Sequence, residues 1–254
     1  MLAKRLELIA NLLQQNGSVE VTELSKLYGV TEKTIRQDLI KLEQLHIATR
    51  VHGGALPYGG KNDIFPIVER KTRYTKRKQE IARKAKTLIN ENDIIFLDSG
   101  TTTLELARLI DKRVIVITPD PFIQAELMNH EQVILYSTGG RLKREGGSCT
   151  LIGNDAVRMI RNYRAKKCFI GASALDYEHG LMVFSPDEVE TKRAMIKASQ
   201  EVIALVDSSK LEQTAFVSFA DITEVTRIVT DADITQECAQ QLENRNVQVY
   251  IAQD

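Results

Sequence analysis

Residues 93–110 read DIIFLDSGTTTLELARLI and show the pattern on which most of the chain is built. The apolar run at 94–97 is typical of a strand that is buried on both faces of a sheet. Residues 103–110 have the pattern of a helix. The polar segment between them therefore lies in a turn that leads from a buried strand into a helix.

The same alternation of apolar runs and helical patterns continues towards the C-terminus. Strands are predicted at 93–97, 114–117, 133–136, 167–171, 202–206, 226–230 and 247–251. Helices are predicted at 76–90, 103–110, 121–129, 154–163 and 186–199. Continuous Ile, Val and Leu runs that alternate with helices indicate an α/β fold with a mostly parallel sheet covered on both faces.

The N-terminal segment differs, because it predicts three short helices in succession. The first, at 2–16, aligns Leu2, Leu6, Ile9 and Leu13 on one face. The second begins near Thr22, buries Leu24 and Leu27 and ends at Gly29, and the third is capped by Thr31 and buries Ile35, Leu39 and Leu42. Three helices with a tight glycine turn between the last two match the layout of a helix-turn-helix.

A small β-wing and a linker are predicted after these helices. Two short extended runs at 47–56 flank a Gly53-Gly54 turn, and residues 57–62 have the Pro and Gly content of a linker. We therefore expect a winged helix-turn-helix domain at residues 1–57, a linker at 58–75 and a larger α/β domain at 76–254.

The third helix carries polar side chains suited to DNA. Its outward residues are Lys33, Thr34, Arg36, Gln37 and Lys41. Arg and Gln can bind base edges in the major groove with two hydrogen bonds, whereas Lys and Thr suit phosphates. Arg50 and His52 flank the wing turn, where they could contact the backbone or the minor groove. The alternative is that all of these residues form only the polar outer face of a helical bundle.

Charge is distributed unevenly along the chain. The formal net charge is zero, yet residues 61–86 carry ten basic and three acidic side chains. An acidic body with a basic neck fits a protein that approaches nucleic acid by one end. The alternative is that the basic segment is a solvated helical face.

Several classes of protein do not fit this sequence. No stretch approaches the roughly 18 apolar residues of a membrane span, and the charged start at 1–7 lacks the apolar core of a signal peptide. Cys149, Cys168 and Cys238 are far apart and odd in number, which does not suggest a disulfide framework, and no Cys/His spacing suggests a metal site. We expect a cytoplasmic protein without membrane contact, metal or cofactor.

The turn at 98–103, Asp98-Ser99-Gly100-Thr101-Thr102-Thr103, is suited to an anion. Gly100 permits a tight turn, and the threonines offer hydroxyls beside the N–H groups at the helix start, where the helix dipole favours negative charge. This turn is not a nucleotide P-loop, because no Gly-Lys-Ser/Thr follows. The alternative is an ordinary strand–helix turn with a threonine cap.

Three further segments are expected at the same edge of the sheet, since loops at the carboxyl ends of parallel strands gather there. They are the loop 139–144 with Arg141, the helix with Lys192, and the loop 207–210 with Lys210. The alternatives are a solvated loop for Arg141, Lys143 and Arg144, a turn end for Lys210, and a surface ion pair with Glu188 for Lys192. Glu188 itself is interpreted as part of a capping box with Ser185.

Two segments, GVTEKTIRQDL at 29–39 and TRVHGGA at 49–55, closely resemble the N-terminal signature of the DeoR family of sugar-metabolism regulators. The turn at 98–103 resembles the phosphate-binding loop of the sensor domain of that family, a domain similar in fold to ribose-5-phosphate isomerase. The resemblance implies a DNA-binding regulator that senses a sugar phosphate, with Lys192 at the position of a lysine that the family presents to the ligand.

The sequence departs from the family at two positions. Gln37 stands where the family often has a second Arg, which implies an altered base preference or a weaker phosphate contact. Pro119 follows Thr118 where the family usually has Asn, and a proline removes a backbone N–H from the loop.

The leading hypothesis is a transcription regulator, most often a repressor in this family, that controls a carbohydrate-utilisation operon. Its expected partners are double-stranded operator DNA, a phosphorylated sugar and further copies of itself, in a dimer or tetramer. The second hypothesis is a sugar-phosphate isomerase with a DNA-binding arm, for which Asp98, Glu188 and Asp207 are candidate bases. None of them comes with an evident activating partner, so catalysis is not expected. A third hypothesis, a DNA-architectural protein, leaves the threonine turn unexplained.

Overall fold

The computed structural model describes residues 2–16, 18–44, 47–51, 53–57, 73–144 and 149–253. His52, which the sequence places beside the wing turn, lies outside these ranges, as does most of the predicted linker. All structural statements below concern the described residues.

Three helices and a three-stranded sheet form the N-terminal part. The helices are α1 (Leu2–Asn16), α2 (Val21–Tyr28) and α3 (Glu32–Gln44), and the strands are β1 (Val19–Glu20), β2 (Ala48–Val51) and β3 (Gly54–Pro57), in the order β1-β3-β2. Gly29 ends α2 in the left-handed region at φ 62°, which gives the tight turn between α2 and α3. The predicted winged helix-turn-helix is confirmed, with β1 as an additional strand.

One core prediction in this part is wrong. Leu27 is 64% exposed, whereas Val21 and Leu24 are buried. Val21, Leu24 and Tyr28, at three- and four-residue spacing, form the inner face of α2, so Leu27 lies outside it. The buried cluster of this part is completed by residues of α1 and α3, including Ile9, Leu13, Ile35 and Leu39.

The remaining chain forms an α/β fold. Its strands are β4 (Ile94–Leu97), β5 (Val114–Thr118), β6 (Val133–Ser137), β7 (Arg141–Lys143), β8 (Thr150–Ile152), β9 (Ala165–Gly171), β10 (Ala174–Asp176), β11 (Gly180–Val183), β12 (Ser199–Leu205), β13 (Val217–Ala220), β14 (Arg227–Thr230) and β15 (Gln248–Ile251). Its helices are α4 (Thr75–Lys86), α5 (Thr101–Arg108), α6 (Pro121–Leu127), α7 (Asn154–Arg161), α8 (Val189–Lys197) and α9 (Gln236–Glu243).

All seven predicted strands lie in one sheet, in the order β15-β14-β12-β9-β4-β5-β6, and every pair is parallel. The chain runs outward from β4 through β5 to β6, returns to β9 beside β4, and then runs outward in the other direction. The carboxyl ends of β4 and β9 therefore flank the point at which the strand order reverses. In open α/β sheets a crevice at this point is the usual ligand site.

Both faces of the sheet are covered, as the apolar runs predicted. Along β4, Ile95 and Leu97 pack into one buried cluster, while Phe96 packs into the cluster on the opposite face. This alternation follows from the two-residue period of a strand. Because successive side chains are buried on opposite faces of the sheet, every residue of the strand is apolar.

Several smaller elements carried no clear sequence signal. They are the antiparallel sheet β10-β11-β13, the hairpin β7-β8 and helix α9. The strands of the two small sheets have three or four residues each, which is too short for a periodic pattern to be recognised.

Candidate DNA-reading helix and effector crevice

Helix α3 presents the polar face that the sequence predicted. Lys33, Arg36, Gln37 and Lys41 are exposed and Thr34 is half-buried, while Ile35, Leu39 and Leu42 face the core. Asp38, only 1% exposed, accepts a hydrogen bond from Nε of Arg5 at 2.6 Å. This buried contact fixes the orientation of α3 on α1, and hence the direction in which the polar face points.

The start of α3 is capped as predicted. The hydroxyl of Thr31 accepts a hydrogen bond from the backbone N–H of Thr34 at 3.2 Å, which satisfies one of the N–H groups at the helix start. The two candidate arginines are paired with glutamates, Arg36 with Glu32 at 2.6 Å and Arg50 with Glu43 at 2.8 Å. Both pairs are at the surface, where such contacts contribute little and can be exchanged for a phosphate or a base.

At the crevice, Asp98 directly follows β4 and Lys192 lies on α8. Oδ2 of Asp98 accepts hydrogen bonds from Nζ of Lys192 and from the backbone N–H of Gly171, the latter at 3.0 Å. Nζ of Lys192 also donates to the carbonyl of Gly171 at 3.0 Å and lies 5.0 Å from the centre of the Phe219 ring. The contacts join α8 to the ends of β4 and β9.

This ion pair is buried on both sides. Asp98 is 2% exposed and Lys192 is 4% exposed. Burial raises the pKa of the Asp98 carboxyl, and Lys192 and the Gly171 N–H oppose that rise in pKa. The surface pair between Lys192 and Glu188 that the sequence offered as an alternative is therefore not formed by these side chains.

The turn after Asp98 is held by its own hydroxyls. Oγ of Ser99 donates to Oγ1 of Thr150 at 2.6 Å, and Oγ1 of Thr103 donates to the carbonyl of Gly100 at 2.9 Å. Gly100 is the N-cap residue of α5, and it has no side chain with which to cap the N–H groups of the first turn. The threonine-cap alternative is therefore wrong, and Thr103 instead satisfies a carbonyl of the turn.

Asp120 is a site residue that the sequence analysis missed. Its carboxyl caps α6 by accepting from the N–H groups of Phe122 and Ile123, at 2.7 and 3.3 Å, and it also accepts from the N–H of Gly100 at 3.2 Å. Burial raises the pKa of this carboxyl to about 6. Asp followed by Pro at the first helical position was the available signal, since this is a common helix start.

Pro119, where ligand contact was in doubt, uses its carbonyl rather than an N–H. This carbonyl accepts a hydrogen bond from the backbone N–H of Leu151 at 2.8 Å. Strand β8 is thereby attached to the loop between β5 and α6. The hairpin β7-β8 thus lies beside the turn at 98–103, which it also contacts through Thr150.

The hairpin brings a second buried ion pair towards the crevice. Nζ of Lys143 donates to Oε1 of Glu188 at 2.9 Å, and both side chains are buried. Arg141 on the same hairpin is exposed and lies 3.3 Å from Oδ2 of Asp187. The interpretation of Lys143 as part of a solvated loop is therefore wrong.

The predicted capping box at 185–188 does not form. Residues Pro186–Glu188 make a turn of 3-10 helix before α8, and the side chain of Ser185 accepts no capping hydrogen bond. The hydroxyl of Ser185 is buried and has no partner within the described ranges. Glu188 is used for the pair with Lys143, which explains why it does not reach back to the helix start.

Lys210 lies two strands away from Asp98, in the 3-10 turn Ser208–Lys210 that follows β12. Asp207 caps this turn by accepting from the N–H of Ser209 at 3.1 Å. Ser208 donates its N–H and its hydroxyl to the buried carboxyl of Asp231, at 2.7 and 2.9 Å. The loops after β12 and β14 are therefore joined at the same sheet edge that carries the crevice.

The described residues contain neither a candidate membrane span nor a candidate metal site. No helix there is long and apolar enough to cross a membrane. Likewise, no three His, Cys, Asp or Glu side chains in those ranges cluster as metal ligands.

A winged helix-turn-helix followed by a doubly wound α/β domain with a polar crevice at its switch point defines a DNA-binding transcription regulator with a sensor domain. Family models match both parts of the chain. The DeoR-like helix-turn-helix domain matches residues 5–57, and the DeoR C terminal sensor domain matches residues 73–232. The chain belongs to the DeoR family.

Full-length relatives agree with this assignment. A protein of Escherichia coli O157:H7 named after the aga operon is 36% identical over 253 residues, 98% of this chain and 93% of that protein. The glycerol-3-phosphate regulon repressor of Escherichia coli K12 is 33% identical over 247 residues, 96% of each chain. The transcriptional repressor GlcR of Bacillus subtilis 168 is 29% identical over 251 residues, 98% of this chain and 96% of that protein.

Solved structures show more distant likenesses. Ribose 5-phosphate isomerase A from Methanocaldococcus jannaschii has a TM-score of 0.38 and 18% identity, covering 53% of this chain and 53% of that chain. The translation initiation factor eIF-2B from Pyrococcus horikoshii OT3 has a TM-score of 0.42 and 14% identity, covering 85% of this chain and 74% of that chain. These likenesses concern the fold alone.

Proposed function

We propose that the protein represses an operon for carbohydrate use and that a phosphorylated sugar bound in the crevice controls its affinity for DNA. The observation that carries this proposal is the turn at 98–103. It lies at the switch point of the parallel sheet and leads into α5, whose N-cap residue, Gly100, has no side chain to cap the N–H groups of the first turn. A helix start in that condition attracts a phosphate through its N–H groups and its dipole.

The charges around the crevice suit a phosphate ester. Residues 99–103 would hold the phosphate through backbone N–H groups and the hydroxyls of Thr101 and Thr102, with the exposed Arg141 on the hairpin β7-β8 and Lys210 in the loop after β12 as further cations. Lys192 would act mainly by holding Asp98 in place, because its ammonium already binds Asp98 and the Gly171 carbonyl. Asp98 would then accept a hydrogen bond from a sugar hydroxyl.

The names of the relatives support this class of ligand. One relative is named the glycerol-3-phosphate regulon repressor, and glycerol 3-phosphate is a small phosphorylated polyol. The chain would thus sense a compound of the same chemical type.

On DNA, α3 would lie in the major groove with Arg36 and Gln37 at base edges and Lys33, Thr34 and Lys41 at phosphates. Arg50 and His52 on the wing would contact the adjacent backbone. Paired helix-turn-helix units bind paired half-sites, so we propose a dimer or tetramer acting in the cytoplasm. The proposed division is a DNA-binding domain at 1–57, a linker at 58–75 and a sensor domain at 76–254.

The alternative function, a sugar-phosphate isomerase, is disfavoured by the partners of its candidate bases. Asp98 is paired with Lys192, Glu188 with Lys143, and Asp207 with Ser209. A general base must be able to accept a proton from the substrate, and each of these carboxylates is held by a structural donor. We therefore propose that the chain is not an enzyme.

The test is fluorescence anisotropy at fixed salt, with DNA that the protein has selected from a random library. Glycerol 3-phosphate, ribose 5-phosphate, glucose 6-phosphate and glucosamine 6-phosphate are titrated in turn, each against its unphosphorylated form as the control. The proposal expects tight sequence-specific binding that one phosphate weakens about fivefold or more. Failure to select any sequence would contradict the DNA-binding part, and isomerisation of a phosphate by the protein would favour the alternative.

A further inference from the structure

Arg77 lies in the first turn of α4. It makes several contacts that play no part in the DNA binding or effector binding proposed above. Its Nη1 donates to Oγ of Ser208 at 3.1 Å, and its guanidinium forms a salt bridge with Asp233. Nε of Arg77 lies 4.0 Å from Oδ1 of Asp231. One side chain thus connects the start of α4 to the loops that follow β12 and β14.

The loop that Arg77 contacts is the one that carries Lys210. Ser208 and Lys210 belong to the same three-residue 3-10 turn, so a shift in the backbone of this turn moves both residues. A phosphate that shifts the turn through Lys210 would therefore also displace Ser208. Arg77 would transmit that displacement to α4.

The start of α4 is itself held in an unusual conformation. Tyr74, just before the helix, has φ 53°, in the left-handed region that a bulky residue rarely adopts. The guanidinium of Arg77 lies 4.9 Å from the centre of the Tyr74 ring, and Nζ of Lys78 donates to the carbonyl of Arg73 at 2.6 Å. Such a conformation persists where surrounding contacts fix it, and Arg77 supplies one of those contacts.

Residues 73 and 74 are also the point at which the chain from the DNA-binding domain reaches the sensor domain. A change in the conformation at Tyr74 redirects the polypeptide that leads to α1–α3. Arg77 therefore lies close to the segment of chain that connects the proposed DNA-binding domain to the proposed sensor domain.

We propose that Arg77 is a positioning residue that couples the loop 207–210 to the start of α4, and so transmits effector binding to the DNA-binding domain. This inference rests on the proposed function. In this inference Arg77 couples the binding of the effector to the binding of DNA, and it contacts neither of them.

The buried carboxyl that Arg77 approaches has other donors. Asp231 accepts from the N–H and hydroxyl of Ser208, and from the N–H of Asp233 at 3.1 Å. Removal of Arg77 therefore leaves Asp231 hydrogen-bonded and the two loops joined. This arrangement predicts that a variant at Arg77 keeps the fold and the crevice and loses only the connection to α4.

The experiment measures three quantities for the full chain: affinity for the selected DNA, affinity for the active phosphate among the four named above, and the factor by which that phosphate weakens DNA binding. For Arg77→Ala we expect both affinities to stay within about twofold of the original protein while the factor falls by about fivefold or more. Arg158→Ala is the matched control, since Arg158 is a 78% exposed arginine and its ion pair with Asp155 stays within α7. It should keep the full factor.

A second variant tests the same contact in case Arg77→Ala does not fold. Ser208→Ala removes the hydroxyl that Arg77 binds and leaves the guanidinium its other partners, so the factor should fall in the same direction but less. An unchanged factor in a folded Arg77→Ala protein would overturn the inference, as would loss of effector affinity itself, which would make Arg77 a ligand contact. An original protein that responds to none of the phosphates would instead overturn the proposed function.

Discussion

The carboxyl of Asp120 and the backbone N–H of Gly100 are joined by a hydrogen bond of 3.2 Å, which places an acidic group at the start of α5. This is the same helix start that would hold the phosphate. A negative charge there opposes a bound anion, whereas a protonated carboxyl does not. The protonation state of Asp120 therefore matters for both stability and ligand binding.

The first prediction concerns stability as a function of pH. Burial raises the pKa of Asp120 from 3.8 to about 6. Between these pH values the folded protein holds the proton more tightly than the unfolded chain, so the contribution of Asp120 to the free energy of unfolding falls as pH rises. Asp120→Asn keeps an oxygen to cap α6 and removes the titration. Relative to the original protein it should gain on the order of 2–3 kcal/mol between pH 4 and pH 7.

Urea unfolding at the two pH values measures this difference. Asp221→Asn is the control with the opposite sign, because hydrogen bonds from Thr223 lower the pKa of the exposed Asp221 carboxyl. Asp221 stabilises the fold above its unfolded pKa of 3.8 and loses that effect mainly below this pH, so Asp221→Asn should keep nearly the original pH dependence between pH 4 and pH 7. Equal pH dependence in Asp120→Asn and the original protein would show that Asp120 ionises normally.

The second prediction concerns the buried pair of Asp98 and Lys192. Lys192→Met leaves a buried carboxylate without its cation, which costs about 3–5 kcal/mol in similar cases. Asp98→Asn leaves the Lys192 ammonium hydrogen-bonded to the Gly171 carbonyl but without its anionic partner. The double variant should be less destabilised than the sum of the two single variants, by about 1–3 kcal/mol.

A double-mutant cycle in urea measures that coupling. The surface pair of Arg158 and Asp155, whose side chains are 78% and 75% exposed, provides the matched control cycle. It should show coupling below about 1 kcal/mol. Additive effects at Asp98 and Lys192 would mean that the two charges do not stabilise each other.

This pair also shows what the sequence could and could not predict. The strands of the sheet were predictable because each is a local apolar run, such as 94–97, whose pattern depends only on its own residues. The turn at 98–103 was recognised for the same reason. Asp98 and Lys192, however, are 94 positions apart, so their contact depends on the strand order.

Errors at single residues have similar physical origins. Leu27 was expected in the core because it is apolar, but Val21, Leu24 and Tyr28 form the inner face of α2 and Leu27 lies outside it. Glu188 was assigned to a local capping box, whereas a buried lysine 45 positions away provides a stronger partner. Local rules fail where a long-range charged partner competes with them.

The third prediction concerns DNA recognition by Arg36. Its side chain is 59% exposed and its partner Glu32 is on the same helix, so its removal should change stability by no more than about 0.5 kcal/mol. If it binds a base edge, Arg36→Ala should weaken specific binding by about 1–3 kcal/mol and relax the preference at one base pair. Anisotropy on the selected DNA and on single-base variants measures both effects.

Arg158→Ala serves as the control for this loss of charge, because Arg158 is an exposed arginine on α7 with an acidic partner three residues away. It should leave DNA binding unchanged. A uniform loss across all DNA sequences in Arg36→Ala would assign Arg36 to a phosphate rather than to a base.

The fourth prediction concerns the threonine turn. Thr101 is 6% exposed at the first position of α5, and valine has nearly the same shape without the hydroxyl. Thr101→Val should leave DNA binding intact and weaken effector binding by about tenfold, the effect of one lost hydrogen bond to a charged group. Isothermal titration with the active phosphate measures the effector, and anisotropy measures the DNA.

Thr223→Val separates this effect from the general cost of removing a threonine hydroxyl. Thr223 is exposed in the turn Ile222–Glu224, and its hydroxyl donates to Asp221 at 2.7 Å, so its removal should affect neither ligand. Since Thr101 contributes both an N–H and a hydroxyl to the helix start, valine keeps the first and tests the second. A normal effector affinity in Thr101→Val would therefore leave the backbone N–H groups as the phosphate donors, while loss of DNA binding would mean that Thr101 serves the fold and not the ligand.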